Sequence, residues 1–185
     1  MADSHAHEPL ELRLRRIEDR FAISDLAVQY ALLLDDARWD ELGQLFTTDG
    51  IFGSPHSTTQ GRAEVVENFK VKHAPFTWTW HDPHGHTIEI DDDDHARGVV
   101  IGYAELGRED YTITTSIRYL DDYRREDGRW RFARRTVLSV YGASIADVVA
   151  GGLGQAERKR WPQRPAGVAE LPDFGHAYTG YPGMP

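Results

Sequence analysis

The chain has 185 residues, 40 % of them hydrophobic and 28 % charged, which suits one globular domain with a sizeable core and a modest tail. Its 30 Asp and Glu outnumber its 21 Lys and Arg, for a formal net charge of -9. This argues against nucleic acid or an anionic membrane surface as partner, since both call for a basic footprint. The absence of cysteine excludes disulfides, thiolate metal sites and cysteine nucleophiles.

Residues 1–8 are polar and are expected to be disordered; they lack the basic and apolar runs of a secretory leader. No apolar run approaches the ~18 residues of a membrane span, so a cytoplasmic location is the default expectation. From Pro9, Leu10, Leu14, Ile17 and Phe21 recur at helical spacing, and Ile23, Leu26, Ala27, Tyr30, Ala31, Leu33 and Leu34 continue it as a second helix or as one bent helix. Asp35-Asp36-Ala37-Arg38 interrupts, Trp39 to Phe46 reads as a short helix, and Thr47 to Gly50 as a turn. Ile51-Phe52 opens a short strand ending near Pro55, and Arg62 to about His73 is helical again.

The second half changes texture. Thr77 to Ile90 is rich in β-branched and aromatic residues, with a turn expected at Pro83 and Gly85. A charged turn at Asp91 to Asp94 is followed by strands over Ala96–Leu106, Tyr111–Tyr123 and Arg129–Tyr141. Asp127-Gly128 is a hairpin turn, because both residues tolerate positive φ. Residues 144–150 are a candidate short helix, and the Gly- and Pro-rich remainder, with Tyr178 and Tyr181, reads as an irregular arm that could pack on a neighbouring subunit. Helices first and hairpin strands afterwards describe an α+β domain over residues 9–141, with a C-terminal arm over 142–185.

Three runs resemble a known family: "IEDRFAISDLAVQYALLLDDARWDELGQLFTTDGIF", "HDPHGHTIEID" and "YLDDYRREDGRWRFARRTV". Across residues 10–141 the chain resembles SnoaL-like, nuclear-transport-factor-2-like proteins, and in motif it is similar to scytalone dehydratase, hexachlorocyclohexane dehydrochlorinase and bile-acid dehydratase. The resemblance implies a cone-shaped α+β barrel, in which a curved antiparallel sheet wraps an internal pocket closed by N-terminal helices. It also implies an Asp–His dyad, here Asp35 and His81, with Arg135 and Tyr30 as further catalytic residues. Where many relatives carry Asn four residues after the His, this chain has Gly85. The dehydratase relatives imply a homotrimer, for which the outer sheet face would supply apolar surface.

A His paired to a carboxylate is a standard general base, because the carboxylate fixes the tautomer and stabilises the imidazolium that forms. His81 would take a proton from a carbon beside a carbonyl, and Tyr30 or Arg135 would stabilise the developing enolate oxygen. No metal or organic cofactor is required. The aromatic supply suits a small hydrophobic cyclic substrate, with Phe52, Phe76, Trp78, Trp80, Tyr103, Thr115, Ile117, Tyr141 and His86 as candidate contacts. From the residues alone Asp36 competes with Asp35, and Arg134 with Arg135. His81, His84 and His86 have the residue types of a metal site, but alternation sends His81 and His86 to opposite faces, against metal. Asp91 to Asp94 lacks the ligand spacing of a calcium loop. A dehydratase-type lyase leads; a ketosteroid-isomerase-like isomerase, a polyketide cyclase and a non-catalytic binding module are the alternatives.

Overall fold

The computed structural model describes residues 9–154, 156–161 and 164–171; the expected disorder of residues 1–8 and the tail residues Tyr178 and Tyr181 lie outside them. Helix α1 (Leu10–Asp35) is one continuous helix. It is built from Leu, Arg, Glu and Ala, which lose little freedom in a helix. Its buried positions Asp19, Ile23, Leu26, Ala27, Tyr30, Ala31 and Leu34 form one stripe. The earlier apolar residues Leu10, Leu14, Ile17 and Phe21 are helical as expected but exposed. Helices α2 (Trp39–Gln44) and α3 (Arg62–His73) follow the expected boundaries closely.

The strands are β1 (Phe46–Ser54), β2 (Ser57–Gln60), β3 (Trp78–Ile90), β4 (His95–Gly107), β5 (Thr112–Glu126), β6 (Arg129–Ser144) and β7 (Lys159–Arg160). They make one sheet in the order β2-β1-β6-β5-β4-β3, with β7 added beside β6. Three features depart from expectation. Thr47 to Gly50 are no turn but belong to β1, with an irregularity in its pairing to β6 between Phe46 and Ile51. The sheet is mixed, because β1 and β7 each run parallel to β6, and its path has two free ends, so it curves without closing into a barrel. Residues Pro83 to Gly85 are no turn: β3 runs straight through them with a bulge at His84. The Asp127-Gly128 hairpin is as expected, with φ of 52° and 73°.

Helix α1 lies across the concave face, mainly against β3. Asp19 pins it to the β5–β6 hairpin by accepting from Arg125 Nη2 (2.7 Å) and Trp130 Nε1 (2.9 Å). The core between helices and sheet includes Ile23, Tyr30, Leu42, Phe46, Phe69, Val100, Tyr123 and Phe132. Helix α4 (Ile145–Val149) is capped by the Ser144 hydroxyl. The described part of the arm folds back on its own sheet: the Leu171 amide donates to the Ser139 carbonyl (3.1 Å), and the Ser139 amide donates to Glu170 (2.9 Å). Trp161 thereby packs on Ala104, Leu106 and Ile113. Among the described residues, no helix is long and apolar enough to cross a membrane.

Candidate active site

Between the concave sheet face, α1, α3 and the arm lies a cavity of about 500 Å³, within the range of small-molecule sites. Tyr30, Phe69, His81, Ile117 and Tyr119 line its deep part, and all but His81 are buried. Phe52, Phe76 and Thr115 also face it.

Asp35 is the last residue of α1, where the helix dipole disfavours a negative charge. Specific donors hold it there. The His81 backbone amide donates to Oδ2 (2.7 Å), and the Thr79 hydroxyl donates to Oδ1 (2.7 Å). His81 Nδ1 meets Oδ1 at 2.6 Å, so the proton sits on Nδ1 and Nε2 is left as the basic nitrogen. Both side chains are largely covered, 12 % exposed for His81 and 15 % for Asp35. Burial alone would push the Asp35 carboxyl up; the hydrogen bonds and charge of His81, with the Thr79 and amide donors, outweigh it and leave the pKa lowered. Asp36, the competitor in sequence, is exposed. The chain turns away after Asp35 through Ala37 at φ 53°, with the Arg38 amide bonding the Leu33 carbonyl (2.9 Å) and the Ala37 amide the Leu34 carbonyl (3.2 Å).

Arg135 is buried and Arg134 is exposed beside Asp122. Arg135 does not line the cavity. It grips Asp121 with Nε and Nη2, both at 2.9 Å, and stacks within 4.1–4.3 Å of the ring centroids of Tyr30, Tyr119 and Phe132. Burial would pull its pKa down, but the Asp121 charge reverses the sign and holds it charged. Nη1 is buried without a partner among the described residues. The Tyr123 hydroxyl donates to Asp121 (2.8 Å) and lies 2.9 Å from His86 Nε2. Arg135 and His81 share only a crevice of about 10 Å³, floored by Tyr30, Ile117 and Tyr119. Tyr30 and Tyr119 meet edge to face with ring centroids 5.8 Å apart, and burial keeps both hydroxyls protonated, Tyr119 being pushed up to about 12.

The structure therefore gathers Asp35, His81, Tyr30, Phe52, Phe76, Thr115 and Ile117 around one space. It places the other candidates elsewhere. Trp78, Trp80, Tyr103 and Tyr141 lie on the convex face: the first three have the opposite strand parity to the inward residues, and Tyr141, which shares the parity of the cavity residues Val137 and Ser139, is turned outward by a bulge at Val140. Trp80 is 59 % exposed and Trp78 46 %, the latter lying over Gly107, where a Cβ would fall 2.0 Å from the indole. His86 does face inward, beneath α1, because the bulge at His84 returns it to the same side as His81. It contacts Tyr123 rather than the cavity. Among the described residues, no three His, Asp or Glu side chains converge as a metal site. Asp121, Tyr119, His73, Lys72 and Trp161 were not singled out from the sequence; Asp121 carried a signal, as the lone acid on the inward parity of β5.

A curved α+β sheet with an inward Asp–His pair under a long helix defines the class. Residues 15–136 match the SnoaL-like domain, and the chain belongs to that family. An uncharacterized protein of Mycobacterium tuberculosis strain H37Rv is 27 % identical over 141 residues, covering 70 % of this chain and 91 % of that protein. Among solved structures, a hexachlorocyclohexane dehydrochlorinase from Novosphingobium barchaimii superposes with a TM-score of 0.67 at 20 % identity, covering 72 % of this chain and 94 % of that one. A candidate scytalone dehydratase from Novosphingobium aromaticivorans gives 0.66 at 20 % identity, covering 71 % and 90 %. At these identities the likeness is one of fold.

Proposed function

We propose that this chain is a cofactor-independent lyase that carries out a dehydratase-type elimination on a small hydrophobic cyclic molecule. The observation that carries the reading is the 2.6 Å His81–Asp35 contact at the cavity wall, with Asp35 taking two further donors at a helix end that disfavours it. His81 Nε2 removes a proton from carbon next to a carbonyl. The electron pair left on carbon passes through the enolate to become the new C=C bond as the leaving hydroxide departs. The imidazolium returns its proton to that hydroxide, so water leaves and the enzyme is restored. Asp35 holds the tautomer and stabilises the imidazolium. The Tyr30–Tyr119 pair supplies a neutral O–H donor to the enolate oxygen. Arg135 acts through the rings it stacks on and is a positioning residue. The eliminations named for the two structural neighbours support this reading.

The test is mass spectrometry of products from a panel of cyclic hydroxy-ketones. Loss of one water, abolished in His81→Ala, is the expected result. Turnover with unchanged mass would assign an isomerase, and no turnover across the panel would favour a binding module.

A further inference from the structure

The charged side chains around the cavity are of one sign. Lys72 at the end of α3, Arg108 in the β4–β5 turn and Arg164 in the arm all line it, and among the described residues no Asp or Glu does. This is unexpected in a chain of net charge -9. Several cations elsewhere in the fold are met by acids, Arg62 by Glu126, Arg97 by Glu89, Arg125 by Asp19 and Arg135 by Asp121. Among the described residues, no carboxylate lies within 4.0 Å of Lys72, Arg108 or Arg164. Asp35 is committed to His81, and Glu109 and Asp110, which share the turn with Arg108, are exposed and off the cavity wall.

Two of the three cations are held in place by aromatic rings. Arg108 Nη1 donates to the Tyr111 hydroxyl (2.9 Å), and its guanidinium sits 5.5 Å from that ring's centroid. Lys72 Nζ is 5.4 Å from the centroid of Phe52, a wall residue. Although the Lys72 side chain as a whole is exposed, desolvation against the cavity wall lowers its pKa from the ordinary lysine value. Lys72 and Arg164 are exposed, which sets them at the mouth, whereas Tyr30, Phe69, Ile117 and Tyr119 near His81 are buried.

We propose that the ligand of this cavity is an apolar ring bearing an oxyanion, a carboxylate or a phosphate, with the ring inside against Phe69 and Ile117 and the oxyanion at the mouth between Lys72, Arg108 and Arg164. The inference rests on the reading of this cavity as the substrate site and narrows the substrate class to anionic cyclic compounds. Three cations from three separate elements lining one cavity suit an anionic group, while the apolar wall sets the ring against His81.

The test uses a matched pair of fluorescent probes on the full chain: anilinonaphthalenesulfonate, which is anionic, and N-phenylnaphthylamine, which lacks the sulfonate. The anionic probe is expected to bind at least about tenfold tighter, the scale of one or two hydrogen bonds to a charge. The combined variant Lys72→Gln/Arg108→Gln/Arg164→Gln removes the preference. Lys72→Gln and Arg164→Gln, both at exposed positions, each weaken it separately. Arg118→Gln, an exposed cation on the convex face, leaves it unchanged. Displacement of the probe by naphthoate assigns a carboxylate, and displacement by naphthyl phosphate alone assigns a phosphate. Equal affinity for the two probes, a preference that survives the combined variant, or displacement by neither competitor would overturn the proposal. The preference between the two probes is read from the cations at the mouth and turnover is read from His81, so failure here leaves the dyad standing, and loss of turnover leaves this inference standing.

Discussion

At the scale of single residues, the site depends on how one carboxylate is kept at the wrong end of a helix. The C-terminal turn of α1 repels an anion, so Asp35 stays ionised there through His81 Nδ1, the His81 amide and the Thr79 hydroxyl. Asp35→Asn keeps the size but loses the charge that orients the imidazole, and His81→Ala removes the base. Each is expected to lower turnover on the order of 10²–10⁴-fold in steady-state assays, with Asp36→Asn near wild type. His84→Ala and His86→Ala are expected to be milder, since neither residue lines the cavity. Ala37 closes the same turn at φ 53°, a left-handed conformation that costs an L-residue with a side chain on the order of 1 kcal/mol and costs glycine almost nothing. Ala37→Gly is therefore expected to raise stability by about 1 kcal/mol in urea unfolding without moving Asp35. An unchanged or lower midpoint would show that the turn is not strained.

At the scale of elements, bulges in β3 and β6 decide what the sheet presents inward, and they also mark where the sequence stops being legible. Period-2 counting reads the helices, the hairpin turn and the inward set Ile113, Thr115, Ile117 and Tyr119 correctly. It fails at β3, where the extra residue His84 returns His86 to the face of His81, and twice at β6, where pairing steps from Phe132 opposite Tyr123 to Arg134 opposite Asp122, leaving Ala133 over, and from Ser139 opposite Ile117 to Tyr141 opposite Ser116, leaving Val140 over. Counting inward from Phe132 selects Arg134; the bulge exchanges it for Arg135. Asp35 was separable from Asp36 only through the family resemblance, because helix-end composition does not say which acid meets β3. Trp78 and Trp80 could have been set aside once His81 was placed inward, by parity alone. The β6 bulge matters energetically because it buries Arg135 against Asp121, with both side chains essentially inaccessible. Removing one partner leaves an uncompensated buried charge, so Asp121→Ala is expected to cost about 3–5 kcal/mol in chemical denaturation. A loss below about 1 kcal/mol would mean that Arg135 relaxes to water instead.

At the scale of the whole molecule, the convex face leaves Trp78, Trp80, Ile101 and Leu120 exposed, an apolar surface that a second copy would cover. The homotrimer implied by the family resemblance is expected to use this face. Light scattering should then show an oligomer that Trp80→Lys or Ile101→Lys dissociates, and a stable wild-type monomer would remove the expectation. The pH dependence of stability follows from two histidines held neutral by packing. Burial lowers the pKa of His73, which lies 2.9 Å from the Phe69 carbonyl through Nδ1, and of His86 beneath α1. A depressed folded-state pKa means that the unfolded chain binds more protons as pH falls through the ordinary histidine value of 6.5. The stabilisation is complete above that value and is lost on acidification toward the folded-state values. Asp35, whose carboxyl is also lowered, adds a second loss only further down, below its ordinary 3.8. The urea midpoint is therefore expected to fall between about pH 7 and about pH 5, well before the carboxylates titrate. His73→Gln/His86→Gln should flatten that fall while leaving the steeper loss at lower pH in place. If the double variant kept the full wild-type slope over this window, the proton uptake would belong to other groups and the assignment to His73 and His86 would fail.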